Sequence, residues 1–95
     1  MRIRYTRRAQ ADLDAIYTYL EQRAPAAAQS VKSLIERRVT GLADFPFIGP
    51  ETVELDVREL TIVRYPYKVY YKVAGEEVWI IHIRDARRRP WEGGE

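Results

Sequence analysis

The hydrophobic pattern of this chain changes period once, and that change limits the folds open to it more than any other feature. Apolar residues at Ala9, Leu13, Ile16, Tyr17, Leu20 and Ala24 recur at the spacing of one helical stripe, while Asp12, Asp14 and Glu21 mostly lie off it. A second stripe follows at Ala27 or Ala28, Val31, Leu34 or Ile35, Val39 and Leu42. Later the period is two. Tyr67, Val69, Tyr71 and Val73 share a face opposite Lys68, Tyr70 and Lys72, and Trp79, Ile81 and Ile83 oppose Val78, Ile80, His82 and Arg84.

The punctuation agrees with the periods. Thr6 fits a helix N-cap, which predicts a first helix over residues 7 to 23. Pro25 cannot continue that helix but suits the first turn of another, so the two stripes form an antiparallel helical hairpin. Two prolines and a glycine end it within residues 44 to 50. Phe45, Phe47 and Ile48 in that loop are expected to pack inward and tether it. Three strands follow, at 57 to 63, 67 to 74 and 77 to 84, with turns at Tyr65-Pro66 and at Gly75. Residues 2 to 5 alternate basic and apolar, a short strand with Ile3 and Tyr5 on one face.

The order is therefore β-α-α-β-β-β. A helical hairpin returns the chain to its starting end, where the first strand can join the later meander. The expected fold is two-layer α+β, a helical hairpin packed on a small antiparallel sheet. Residues 1 to 95 form one domain, since a chain of this length supports one small core. Separate helical and β modules would each leave an apolar face unsupported.

Charge is informative by placement. Sixteen Lys and Arg against fourteen Asp and Glu leave a net +2, too little for a polycation. Acids gather at Glu51, Glu54, Asp56 and Glu59, bases at Arg2, Arg4, Arg7 and Arg8 and again at Arg84, Arg87, Arg88 and Arg89. Close termini would make one face strongly basic. The absence of cysteine excludes a disulfide framework and thiolate metal sites, and one histidine argues against a protein-only zinc site. No metal and no cofactor are expected. The first residues lack the apolar run of a signal peptide and no segment approaches a membrane span, so the expected location is the cytoplasm.

Three short motifs stand in order on this architecture: Phe45-Pro46-Phe47-Ile48-Gly49-Pro50, Val63-Arg64-Tyr65-Pro66-Tyr67-Lys68-Val69-Tyr70-Tyr71, and Ile80-Ile81-His82-Ile83-Arg84-Asp85-Ala86-Arg87-Arg88. Together they resemble the ParE branch of the RelE/ParE toxin superfamily, which includes the plasmid stabilisation family, over nearly the whole chain. The resemblance implies the toxin half of a type II toxin–antitoxin module, neutralised by a ParD-like antitoxin in a hetero-oligomer. It implies DNA gyrase as the target, and contact with operator DNA only indirectly, through the antitoxin. The RelE branch, which cleaves messenger RNA on the ribosome, is the alternative.

A RelE-type ribonuclease must activate a 2′-hydroxyl, stabilise charge on the phosphate and protonate a leaving oxygen. Lys68, His82, Arg84 and Arg87 are the candidates this chain offers. The terminal Tyr or His usual in such nucleases is missing, because after Arg89 only Pro90, Trp91, Glu92, two glycines and Glu95 remain. His82 reads as a packing residue, and the tyrosines as half-buried strand residues rather than base-stacking platforms. No catalytic residue is assigned on the ParE reading. Arg84, Arg87, Arg88, Arg89 and Trp91 are the candidate target-binding residues, since guanidinium forks and an indole beyond the last strand suit an anionic or aromatic partner surface. Arg84 could instead pair with Glu59 or Asp56. For the antitoxin, the helical hairpin and an exposed sheet edge suggest a groove, with Leu13, Ile16, Tyr17, Leu20, Val31, Ile35 and Tyr70 as candidates.

Overall fold

The computed structural model describes residues 1–87. In chain order they form β1 (Arg2–Tyr5), α1 (Arg7–Arg23), α2 (Pro25–Thr40), a 3₁₀ turn (Gly41–Ala43), β2 (Arg58–Ile62), β3 (Tyr67–Ala74) and β4 (Glu77–Asp85). Thr6 caps α1 as expected, its Oγ1 accepting from the Ala9 N–H at 3.1 Å. Ala24 lies between the helices, and Pro25 opens α2 where its missing N–H costs nothing.

The two helices pack on one face of a four-stranded sheet of order β1-β4-β3-β2. The core lies between the layers and is built from Ala9, Leu13, Val31, Ile35, Val39 and Leu42 on the helical side. Leu60, Ile62, Tyr67, Val69, Tyr71, Val78, Ile80 and Ile83 meet them from the sheet.

The sheet is mixed rather than antiparallel. β1 runs parallel to β4, while β2–β3 and β3–β4 are antiparallel. The reason lies in where the hairpin ends. The N-terminal ammonium donates to the Ala43 carbonyl at 3.2 Å, so the chain leaves α2 beside the start of β1. The 44–57 loop then carries the chain to β2, which begins level with the end of β1 and runs in the same direction, so the third strand of the meander does too.

A second difference is a β-bulge. Tyr70 pairs with His82 but Tyr71 with Ile80, which leaves Ile81 as an extra residue in β4. The alternation expected along β4 is therefore reversed beyond Ile80. Val78, Ile80 and Ile83 face the helices, whereas Trp79, His82 and Arg84 belong to the other face, across from Lys72, Tyr70 and Lys68.

The loop at 44–57 is tethered, though not by the three side chains expected to hold it. Phe45, Phe47 and Ile48 are 67%, 61% and 62% exposed, contrary to the inward packing expected of them. Backbone bonds hold the loop instead: the Gly49 N–H donates to Tyr71 Oη at 2.9 Å, and Arg58 donates to the carbonyls of Phe47 and Gly49 at 3.1 and 2.8 Å. With Tyr71 itself fully buried, these bonds fix the backbone first and leave the flanking side chains outside. A Cβ on Gly49 would meet the Glu59 carbonyl and Tyr71 Oη at 2.8 Å each. Gly49→Ala is expected to destabilise by about 1–3 kcal/mol, as overpacking commonly does, read as a lower urea midpoint at unchanged slope.

Candidate functional site

The face of the sheet turned away from the helices carries a connected polar network. Lys68 Nζ bonds Glu59 Oε1 across β3 and β2 at 3.0 Å, and Arg84 Nε donates to Tyr70 Oη at 3.0 Å across β4 and β3. The Tyr70 ring stacks on His82, centroids 5.7 Å apart and planes 16° from parallel. Burial raises the Tyr70 phenol above its ordinary range, the Arg84 bond opposing this and Glu59 adding to it. Strand pairing places these groups together: Glu59 opposes Tyr70, Lys68 opposes Arg84, and Tyr70 opposes His82.

α1 closes the site from the edge. β1 ends at Tyr5, opposite Ile80, so beyond it β4 has no described strand on that side. The helix takes that place. Thr6 Oγ1 donates to the Ile81 carbonyl at 3.3 Å, the Ile83 N–H donates to Asp12 Oδ2 at 3.0 Å, and the same oxygen lies 2.8 Å from His82 Nδ1. Since a carboxylate only accepts, the imidazole proton sits on Nδ1. His82 is 7% exposed.

The structure thus gathers Lys68, His82 and Arg84 on one face and leaves Arg87 apart. Arg87 is clasped by Asp85, whose carboxylate accepts from its N–H, Nε and guanidinium NH2 at 2.9, 3.1 and 2.9 Å. Arg84 bonds Tyr70 and the Asp85 carbonyl rather than Glu59 or Asp56, because Lys68 holds Glu59. Arg88, Arg89 and Trp91 lie outside the described residues.

Sequence reasoning did not single out Asp12, and it named Glu59 only as a possible partner of Arg84. Asp12 sits next to Leu13 yet off the apolar stripe, and a lone acid there carries no sign that it will meet an imidazole 70 positions away.

Among the hairpin candidates, Leu13, Val31 and Ile35 are core residues no more than 6% exposed, and Tyr70 is buried on the far face of the sheet. Ile16, Tyr17 and Leu20 are only partly buried. Beside them a groove of about 280 Å³ opens between the helices, lined by Asp14, Tyr17, Thr18 and Glu21 of α1 and by Ala28, Gln29 and Lys32 of α2. The outer edge of β2 is covered as far as Glu59, which donates its N–H to the Pro50 carbonyl at 3.0 Å, and Thr61 beyond it is exposed.

Tyr17 Oη is buried without a hydrogen-bond partner. Burial, reinforced by Glu36, Tyr5 and Asp14, pushes this phenol up to about 12 from the usual 10.0. The unfolded chain therefore loses this proton first as pH rises. Its stability contribution is complete below about pH 10 and is lost between about pH 10 and 12, on the order of 1 kcal/mol once partial exposure is discounted. Tyr17→Phe is expected to remove that part of the decline and to be neutral or stabilising at pH 7, as a pH series of urea melts would show.

No group of residues among those described could hold a metal ion, and no described helix is long and apolar enough to cross a membrane. Residues 3–90 match the family model of the ParE toxin of type II toxin-antitoxin system, parDE. Toxin RelE2 of Caulobacter vibrioides is 39% identical over 84 residues, covering 88% of this chain and 93% of that protein. The structure of a chromosomal ParDE TA system from P. aeruginosa superposes with a TM-score of 0.79 at 32% identity, over 90% of this chain and 95% of that one. The chain belongs to the ParE toxins of type II toxin–antitoxin systems, within the RelE/ParE superfamily.

Proposed function

We propose that this toxin acts by binding DNA gyrase in the cytoplasm rather than by catalysis, and that a ParD-like antitoxin silences it in a hetero-oligomer. The observation that supports binding over nucleolysis is the engagement of every candidate nuclease group. Lys68 is held by Glu59, Arg84 by Tyr70 and Arg87 by Asp85, while His82 is buried against Asp12 and Tyr70. Such pairing suits a rigid sheet and not a proton-transfer site, whose groups must reach the 2′-hydroxyl and the leaving oxygen.

The antitoxin reading rests on the hairpin groove with Ile16, Tyr17 and Leu20, together with the uncovered end of β2 at Thr61. An amphipathic helix or extended peptide covers such surfaces. Contact with operator DNA then comes through the antitoxin. On the target side, Arg87, Arg88, Arg89 and Trp91 are the proposed contacts, and Arg84 stays with the sheet network.

The test runs purified toxin in gyrase supercoiling and cleavage assays beside a ribosome-bound mRNA cleavage assay. Gyrase inhibition without mRNA cleavage is expected, and Lys68→Ala should keep growth inhibition within about threefold. Cleaved message, with a loss of about 10²-fold in Lys68→Ala as removal of a catalytic group commonly produces, would replace this reading with the ribonuclease.

A further inference from the structure

We propose that the loop over residues 45–56 is a separate docking surface, by which the toxin seats on an apolar recess bordered by Lys and Arg on its target protein; this rests on the toxin reading above. Five large apolar side chains project from it: Phe45, Phe47, Ile48, Val53 and Leu55, the last two 109% and 82% exposed. Large apolar side chains exposed in such number on one short loop mark an interaction site.

The backbone beneath these side chains is already fixed. Thr52 donates its N–H and its hydroxyl to the Val57 carbonyl at 2.9 and 3.0 Å, and Glu54 donates its N–H to Thr52 Oγ1 at 3.1 Å. Val57 is fully buried and anchors the far end, as Gly49 on Tyr71 anchors the near one. The Arg58 guanidinium lies 5.1 Å from the Phe47 ring centroid and steadies it. A loop ordered before binding has little conformational entropy left to lose on docking.

Charge selects the occupant. Residues 44–59 carry Asp44, Glu51, Glu54, Asp56 and Glu59 against the single base Arg58, in a chain that is net positive. Arg58 is spent on the Phe47 and Gly49 carbonyls and on Glu51, and one oxygen of Glu54 is enclosed without a donor. With Glu51 paired to Arg58 and Glu59 to Lys68, Asp44, Glu54 and Asp56 leave the loop net negative. It repels nucleic acid phosphates and anionic membranes, and it fits basic residues around an apolar recess on a protein.

The test is the double variant Val53→Ser with Leu55→Ser, whose side chains are largely exposed and outside the core cluster, so the thermal midpoint should not move. Growth inhibition at equal cellular level and affinity for purified gyrase should each fall about tenfold or more, as for interface hot spots, while affinity for the ParD-like antitoxin stays within about threefold. Asp56→Asn, a residue that tolerates the left-handed φ of 64° there, should slow association and flatten its salt dependence. Full toxicity in the double variant, or loss of antitoxin affinity in its place, overturns the proposal. An unchanged association rate in Asp56→Asn overturns the basic rim. A wild-type toxin that stops growth without binding gyrase overturns the gyrase reading alone, because the growth arm still decides the loop. One that does neither overturns both.

Discussion

Alanine at Arg87, Arg88 and Arg89 together is expected to abolish growth inhibition while antitoxin affinity changes by no more than about 1–2 kcal/mol, because hot spots for two partners need not coincide. The fold should survive. Arg87 is the described member of the three, and its side chain is 70% exposed while its guanidinium bonds both carboxylate oxygens of Asp85. That clasp sets where the chain leaves β4, so Arg87→Ala alone should cost less activity than the triple change. Arg84→Ala belongs to another class. Its bond to Tyr70 ties β4 to β3, and its loss should lower stability before activity. Growth assays at matched expression, with antitoxin titration calorimetry, separate these outcomes. A fully toxic triple variant would remove the arginine run from the target surface.

The largest stability effect is expected at Asp12. One of its oxygens serves two donors, the Ile83 N–H at 3.0 Å and the His82 imidazole at 2.8 Å. Asp12→Ala leaves both without that acceptor at a partly buried edge, and the cost should be about 2–4 kcal/mol. This is a sizeable share of the roughly 5–15 kcal/mol that holds a small domain folded. Asp12→Asn keeps an acceptor for the amide and should lose about half as much. Urea melts of the two variants measure the difference. A loss under about 0.5 kcal/mol in Asp12→Ala would mean that apolar packing alone seats α1 on β4.

The helical half of the molecule was legible because its signals are local. The stripe from Ala9 to Leu20, the Thr6 cap and Pro25 each act within a few residues, and α1 and α2 begin where those residues place them. The features that depend on distant partners were not. The extra residue at Ile81 shows only when β4 is set against β3, and it moves His82 from the face of Val78 and Ile80 to that of Tyr70. The direction of β1 within the sheet depends on where α2 delivers the chain, which the length of a helical stripe does not reveal. Phe45, Phe47 and Ile48 follow the same logic. Large apolar residues in a loop predict burial by composition, yet the bonds made by Gly49 and Arg58 decide the backbone path and turn those side chains outward.

The parallel pairing of β1 with β4 has a consequence for the order of events during synthesis. Arg4 and Glu77 are 73 positions apart, and among the described residues β1 has no other strand to pair with. The helical hairpin can take shape on the ribosome, but the strand that precedes it waits with an unpaired edge until β4 has emerged. The newborn chain therefore has no finished sheet until β4 has been made. If the antitoxin docks in the hairpin groove as proposed, its docking surface is formed before the toxin's sheet is.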